Sequence, residues 1–304
     1  MPKHILVPLD GSATAEQALP HAAELARLFG AELTLVRVPE PMLVPTLSAG
    51  VWVAEQVDSP KAHEVAAAYV TEVAARPAFG GLTVHTATPH YPVAGGLLEA
   101  CTTTGSDLIV MTAHGFSGVR RLILGSVADK LLHHAPSPVY VVHPTEDRPR
   151  PPAFRQVVVP LDGSPLAEAA LPVAVDLCHA SGGHLTLVQV PTLPAFATAI
   201  PDTAGWIPGL MAEMTAEARE YLEQHVNLLS TGPVPVSAQV EVVAAGSVAD
   251  GITHFVHEHD ADVVVMSSHG RGGVARWFLG SVADQVLRQS ERPVWVIRAN
   301  ANHD

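Results

Sequence analysis

Two short stretches of this sequence carry residues able to recognise a small polar ligand, and each occurs twice. The first is PLDGS, in which Asp10, and again Asp162, ends an apolar run and precedes Gly-Ser. A carboxylate in that place, at the carboxyl end of a strand, is a candidate ligand contact. With a serine two residues on, it can equally close a turn on its own backbone. The second stretch is TAHGFSGVRRLILGS from Thr112, matched by SSHGRGGVARWFLGS from Ser267. Gly115 and Gly125, like Gly270 and Gly280, let backbone come close to a ligand, and Ser126 and Ser281 open helical patterns. The free N–H groups and positive dipole end of a helix N-terminus bind phosphate. Ser126 with Asp129, and Ser281 with Asp284, also approximate a capping box, which would make each serine no more than a helix start. Asp129 itself would oppose a phosphate. The chemistry on offer is recognition of an anionic, phosphate-bearing ligand.

The elements that position these residues are duplicated. HILVPLDGSATAEQALPHAAELARLFGAELTLVRVP from His4 matches QVVVPLDGSPLAEAALPVAVDLCHASGGHLTLVQVP from Gln156. Asp162 lies 152 residues after Asp10 and Gly280 lies 155 after Gly125, so intervening loops absorb a three-residue difference. Two units follow, 1–145 and 155–304, joined through the proline- and charge-rich stretch His143–Arg155. In the first unit Ile5–Leu9, Leu33–Val38, Leu82–Thr86, Asp107–Thr112 and Val139–Val142 are short apolar runs of strand type. Between them lie helical patterns: Ala18, Leu19, Ala22, Ala23, Ala26 and Phe29 on one face, with Gly30 as C-terminal stop, then Lys61–Ala75, Val93–Thr103 and Ser126–His134. The second unit repeats the order to Val294–Ile297. Strands alternating with helices define an α/β class, with an open, mostly parallel five-stranded sheet per unit. Such sheets bind ligands at the carboxyl ends of strands where the strand order reverses. Both motifs fall at such ends.

Composition removes several functions. Thirty acidic against 17 basic residues give a net charge of −13, which excludes a dedicated nucleic-acid binder. Two cysteines, Cys101 and Cys178, form neither a disulfide framework nor a metal cage, in keeping with a cytoplasmic protein. No apolar run approaches a membrane span. At 48% hydrophobic and 15% charged residues, the chain can bury a large core.

On the repeated PLDGS and the glycine loops, the sequence resembles the universal stress protein family in its tandem two-domain form. The resemblance covers about residues 3–145 and 155–299. It implies Rossmann-like domains of the adenine-nucleotide alpha-hydrolase type. ATP-binding members carry G-x2-G-x9-G-[ST] after the fourth strand. The aligned residues here are Thr112, Gly115, Gly125 and Ser126, then Ser267, Gly270, Gly280 and Ser281, so a hydroxyl residue replaces the first glycine in both units. The resemblance further implies that Asp10 and Asp162 meet the adenosine end of ATP, that backbone at Val38 and Val190 meets adenine, and that Mg²⁺ can accompany the nucleotide. The implied role is a cytoplasmic stress-response sensor or regulator. Its rivals are a nucleotide-free scaffold for a protein partner or self-association, and a slow Mg²⁺-dependent ATP hydrolase.

The units differ at the motif. Gly246 stands where unit 1 has Tyr91, and Arg271 where it has Phe116, which favours unit 2 for phosphate. His254, His257 and His259 have no clear further ligand, and His114 and His269 read as loop-shaping residues. No GxxxxGK[ST] or GxSxG motif is present. Two long segments, Pro39–Ser59 with Trp52 and Pro191–Gly209 with Trp206, are expected to be lids, binding surfaces or partly helical covers.

Overall fold

The structure is a computed structural model of the chain, describing residues 1–39, 41–48, 51–57, 59–114, 124–144, 152–193, 207–231, 238–243, 246–269 and 279–298. It divides into two compact units, Met1–Pro151 and Pro152–Asp304.

In unit 1, β1 (His4–Pro8) leads through a 3-10 turn at Ala15–Gln17 into α1 (Ala18–Phe29) and β2 (Glu32–Val36). Helix α1 buries Ala18, Leu19, Ala22, Ala23, Leu25 and Ala26, and Gly30 stops it in the left-handed conformation at φ 65°. That conformation costs glycine nothing, because it has no Cβ. An antiparallel hairpin follows, β3 (Met42–Ser48) with β4 (Val51–Val57), and then α2 (Pro60–Ala74). The remaining elements are β5 (Val84–Ala87), α3 (Val93–Thr104), β6 (Leu108–Thr112), α4 (Ser126–His134) and β7 (Val139–Val142). The five sheet strands are all parallel, in the order β5-β2-β1-β6-β7.

Unit 2 runs β8 (Gln156–Pro160), α5 (Pro165–Glu168), α6 (Leu171–Ser181), β9 (His184–Gln189), α7 (Ile207–Thr231), β10 (Ala238–Val242), α8 (Val248–Glu258), β11 (Val263–Ser267), α9 (Ser281–Gln289) and β12 (Val294–Ile297). Its order is β10-β9-β8-β11-β12, again parallel. The chain leaves β8 on one side and returns on the other at β11, so the strand order reverses between them. Val157, Val159, Leu185, Leu187, Val263, Val264, Val265 and Val294 are fully buried. Near-continuous apolar strands of this kind are what a sheet covered on both faces requires.

The α/β class stands as read from the sequence. The segment Pro39–Ser59 does not become a helical cover; its backbone pairs as the β3–β4 hairpin from Met42↔Val57 to Ser48↔Val51. Its alternation of Leu, Val, Thr and Trp with other residues suits a strand better than a helix. In the counterpart segment, α7 begins at Ile207, and residues 194–206, Trp206 included, lie outside the described residues.

Candidate functional site

The two aspartates sit at matching corners. Leu9 N–H donates to Val36 O, and Leu161 N–H to Val188 O, both at 2.8 Å, carrying the ladder one residue beyond β1 and β8. The chain then turns at Gly11 (φ 88°) and Gly163 (φ 83°), a left-handed conformation that a side chain would strain. Asp10 Oδ1 accepts from Ser12 N (2.9 Å) and Ser12 Oγ (2.6 Å), and Asp162 Oδ1 from Ser164 N (3.0 Å) and Ser164 Oγ (2.6 Å). Ser164 Oγ in turn accepts from Ala167 N and caps α5. Each aspartate therefore closes its turn with Oδ1. Turn formation and ligand recognition, which the sequence left as alternatives, are compatible in one carboxylate with two oxygens.

The loops after β6 and β11 begin with the hydroxyl residues that replace the first motif glycine. Thr112 Oγ1 donates to His114 O at 2.8 Å, and Ser267 Oγ accepts from His269 N at 3.4 Å; both residues are buried. These hydroxyls fasten the start of the loop to itself. At the loop's far end Gly125 N–H donates to Ala113 O and Gly280 N–H to Ser268 O, each at 2.8 Å. The helix caps are these glycines and not the serines: Gly125 and Gly280 occupy the N-cap without a side-chain cap, and Ser126 and Ser281 are the first helical residues. The capping-box expectation is therefore corrected. The N-cap glycine has no side chain to accept from them, so the first N–H groups of α9 have no partner within the helix. Asp284, whose charge would oppose a phosphate, is held one turn down by Arg288, with Nε at 2.9 and 3.0 Å and Nη2 at 2.8 Å.

In unit 2 these parts surround one cavity of about 510 Å³. Asp162, Val190, Ser267, Gly280 and Ser281 all line it, as do Val282 and Ala283 of the helix end. Gly270 and Arg271 lie outside the described residues, as do Gly115 and Phe116 in unit 1. The cavity also takes in His269, which the sequence marked by its repetition as His114, and residues that sequence reasoning passed over: Gln189, Thr192, Met214 of α7, and Val248 and Ile252 of α8.

The sequence profile described as the universal stress protein family matches residues 1–143 and again 153–298. The chain belongs to the universal stress protein family, in tandem form. A universal stress protein of Mycolicibacterium smegmatis is 29% identical over 303 residues, covering 97% of this chain and 96% of the relative. One from Mycobacterium tuberculosis is 27% identical over 311 residues, covering 97% and 94%. Among solved structures, a universal stress protein from Archaeoglobus fulgidus shares the fold with TM-score 0.70 at 22% identity, over 98% of both chains.

In this universal stress protein the two units part company beside the aspartate loop. Gln189 of unit 2 corresponds to Arg37 of unit 1, both just before the valines Val190 and Val38. The Arg37 guanidinium lies flat on Gly11, its Cζ and both terminal nitrogens 3.1 Å from where a Cβ would stand. The same guanidinium stands over the Tyr69 ring, its Cζ 4.7 Å from the centroid. Both units keep a tyrosine–glutamate tie between the long helix and the segment after the aspartate: Tyr69 donates to Glu16 and Tyr221 to Glu168, each at 2.8 Å. In unit 1 Arg76 adds a 2.7 Å ion pair to Glu16 and holds that carboxyl below its ordinary pKa. The position of Gly246 is open, since a Cβ there would meet nothing within 4 Å.

His254 pairs with Glu258 at 3.2 Å and His257 faces Glu291 at 3.9 Å, both at the surface. Among the described residues no group of three His, Cys, Asp or Glu could hold a metal, and no helix is long and apolar enough to cross a membrane. Cys101 and Cys178 are buried, and burial pushes their thiols up to about 11 and about 12.

Proposed function

We propose that this protein binds ATP reversibly and acts in the cytoplasm as a sensor or regulator in a stress response, with unit 2 as the principal site. The observation that carries the reading is the single cavity lined by Asp162, Val190, Ser267, Gly280 and Ser281. The strand order lays out its chemistry. The uncapped N-terminus of α9 beyond β11 suits phosphate, Asp162 beyond β8 suits ribose hydroxyls, and the wall beyond β9 is left for the base. Neighbouring strands stand about 4.8 Å apart, so β9 and β11 are separated by roughly 10 Å, the reach of a nucleoside. Gly270 and Arg271 complete the phosphate end in this reading, and Mg²⁺ enters with the triphosphate.

The glycine-capped helix end and close-packed Gly280 fit an anion: a Cβ at Gly280 would stand 3.1 Å from Ser268 O, so only glycine lets the helix start pack this closely on the loop. In unit 1 the corresponding set is Asp10, Val38, Thr112, Gly115, Gly125 and Ser126. There Arg37 packed on Gly11 favours the second reading, a unit that carries protein contacts or self-association in place of a nucleotide.

The deciding experiment is extraction of the purified protein, chromatography of any released nucleotide, and calorimetric titration of the stripped protein with Mg·ATP. One ATP per chain is expected. Absence of both retained nucleotide and titratable binding would leave the scaffold reading, and steady phosphate release above a heat-denatured control would make the protein a slow hydrolase.

A further inference from the structure

A second cavity, of about 380 Å³, lies in unit 1 between the end of β2 and the start of α2. Arg37, Ser59, Lys61 and Ala62 line it, the rest of its wall is apolar, and no acidic residue takes part. Two cations on one cavity without a carboxylate are out of keeping with a chain of net charge −13. Among the described residues Lys61 has no ion pair, and the Arg37 guanidinium donates to no protein acceptor. Arg37 is held by stacking, flat on Gly11 and over Tyr69. Guanidinium N–H bonds lie in the plane of the group, so stacking leaves its donor fork unspent. The helix start adds neutral donors. Ser59 is the N-cap of α2 but its side chain makes no cap, and Pro60 has no N–H, so the Lys61 and Ala62 N–H groups have no partner within the helix. The next, His63 N–H, donates to Ser59 O at 3.1 Å. Ser59 is only 8% exposed, yet its Oγ has no hydrogen-bond partner and keeps accessible surface on the cavity it lines. An N-cap serine ordinarily accepts from the helix start, and this one leaves its hydroxyl for the cavity.

We infer that this cavity binds a small phosphate monoester, its phosphate held by the Arg37 fork, the Lys61 ammonium, Ser59 Oγ and the first N–H groups of α2, with the ester group against the apolar wall. The site is separate from the unit 2 nucleotide cavity and does not depend on that reading. A phosphate monoester brings close to two negative charges and three acceptor oxygens, which matches two cations and several neutral donors better than a carboxylate does. Unit 2 has no counterpart. The tyrosine–glutamate ties fix the register, with Tyr221 152 residues after Tyr69, so Arg37, Ser59 and Lys61 correspond to Gln189, Met211 and Glu213. There α7 already begins at Ile207, which leaves no helix start at that place. Glu40 and Asp58, which flank the cavity residues in sequence, lie outside the described residues.

The test is titration of the ¹⁵N-labelled full chain with phenyl phosphate at constant ionic strength, following the backbone N–H signals of Lys61 and Ala62. Both should shift and saturate, and benzoate should bind at least about fivefold more weakly. Arg37→Gln, which installs the unit 2 residue, and Lys61→Gln, at an exposed position, should each weaken phenyl phosphate by at least about fivefold. Lys61→Arg keeps the charge and should stay within about threefold of the wild type, which separates charge from packing. Absence of saturable shifts, equal shifts from sodium chloride, benzoate binding as tightly as phenyl phosphate, or an undiminished affinity in both glutamine variants overturns the inference. Movement of the two signals by Mg·ATP and not by phenyl phosphate also overturns it, and makes the cavity part of a unit 1 nucleotide site. Failure of Mg·ATP to bind anywhere, with phenyl phosphate binding as expected, removes the nucleotide reading and leaves this inference standing.

Discussion

Gly280→Val tests the phosphate end of the site most directly. Gly280 has φ −63° and ψ 149°, an extended conformation that valine adopts readily, so the backbone is not strained by the change. The damage is steric. The first added carbon falls 3.1 Å from Ser268 O, tighter than ordinary contact, and 3.7 Å from His269 Cα, and relieving it shifts the helix start against the loop. In the proposed complex the contact at risk is a charge-assisted hydrogen bond from an N–H at the start of α9 to phosphate, worth about 1.5–3 kcal/mol. Losing one such bond weakens ATP by roughly tenfold to a hundredfold. The assay is titration with Mg·ATP alongside thermal melting. Gly125→Val is the internal control: its Cβ falls 3.2 Å from Ala113 O, nearly the same insult in unit 1. It should change ATP affinity by less than about threefold. A folded Gly280→Val with unchanged affinity, or a larger effect from Gly125→Val, would refute the placement of phosphate at α9.

Asp162→Ala should cost at least about tenfold in ATP affinity, and Asp10→Ala much less, by the same titration; the reverse order would move the principal site to unit 1. His21, whose Nδ1 lies 3.1 Å from Tyr140 Oη, is desolvated and its pKa is pushed down to about 4. The unfolded chain takes up that proton near pH 6.5 and the folded chain does not, so this residue's contribution is intact above about 6.5. Stability then falls as pH drops toward about 4, by at most about 3 kcal/mol, and urea melts of His21→Gln should show a shallower fall over that window; parallel curves would remove the assignment. Cys101 and Cys178, buried with raised thiol pKa values, should react with an aromatic disulfide reagent at least about tenfold more slowly in the native protein than in urea. Equal rates would place the thiols within reach of solvent.

The sequence by itself determined the duplication, the alternation of strand and helix, and the presence of an aspartate after the first strand and a Gly-Ser helix start in each unit. These are local signals. An apolar run such as Ile5–Leu9 and the helical spacing of Ala18, Leu19, Ala22 and Ala26 follow from one segment's own burial, and predicted bounds such as Ser126–His134 match the structure. The cap differed by one residue, Gly280 for Ser281, because both can begin a helix and only the backbone dihedrals distinguish them. The hairpin of Met42–Ser48 with Val51–Val57 was missed because a short apolar segment does not declare its pairing partner. The cavity belongs wholly to the tertiary structure. Asp162, Gln189 and Gly280 are far apart in sequence and meet because β9, β8 and β11 are neighbours in the sheet. In the sequence, Arg37 against Gln189 is one difference among many between two repeats. Packing gives it meaning: the guanidinium settles on Gly11 in one unit, and in the other a carbonyl oxygen is buried without a donor.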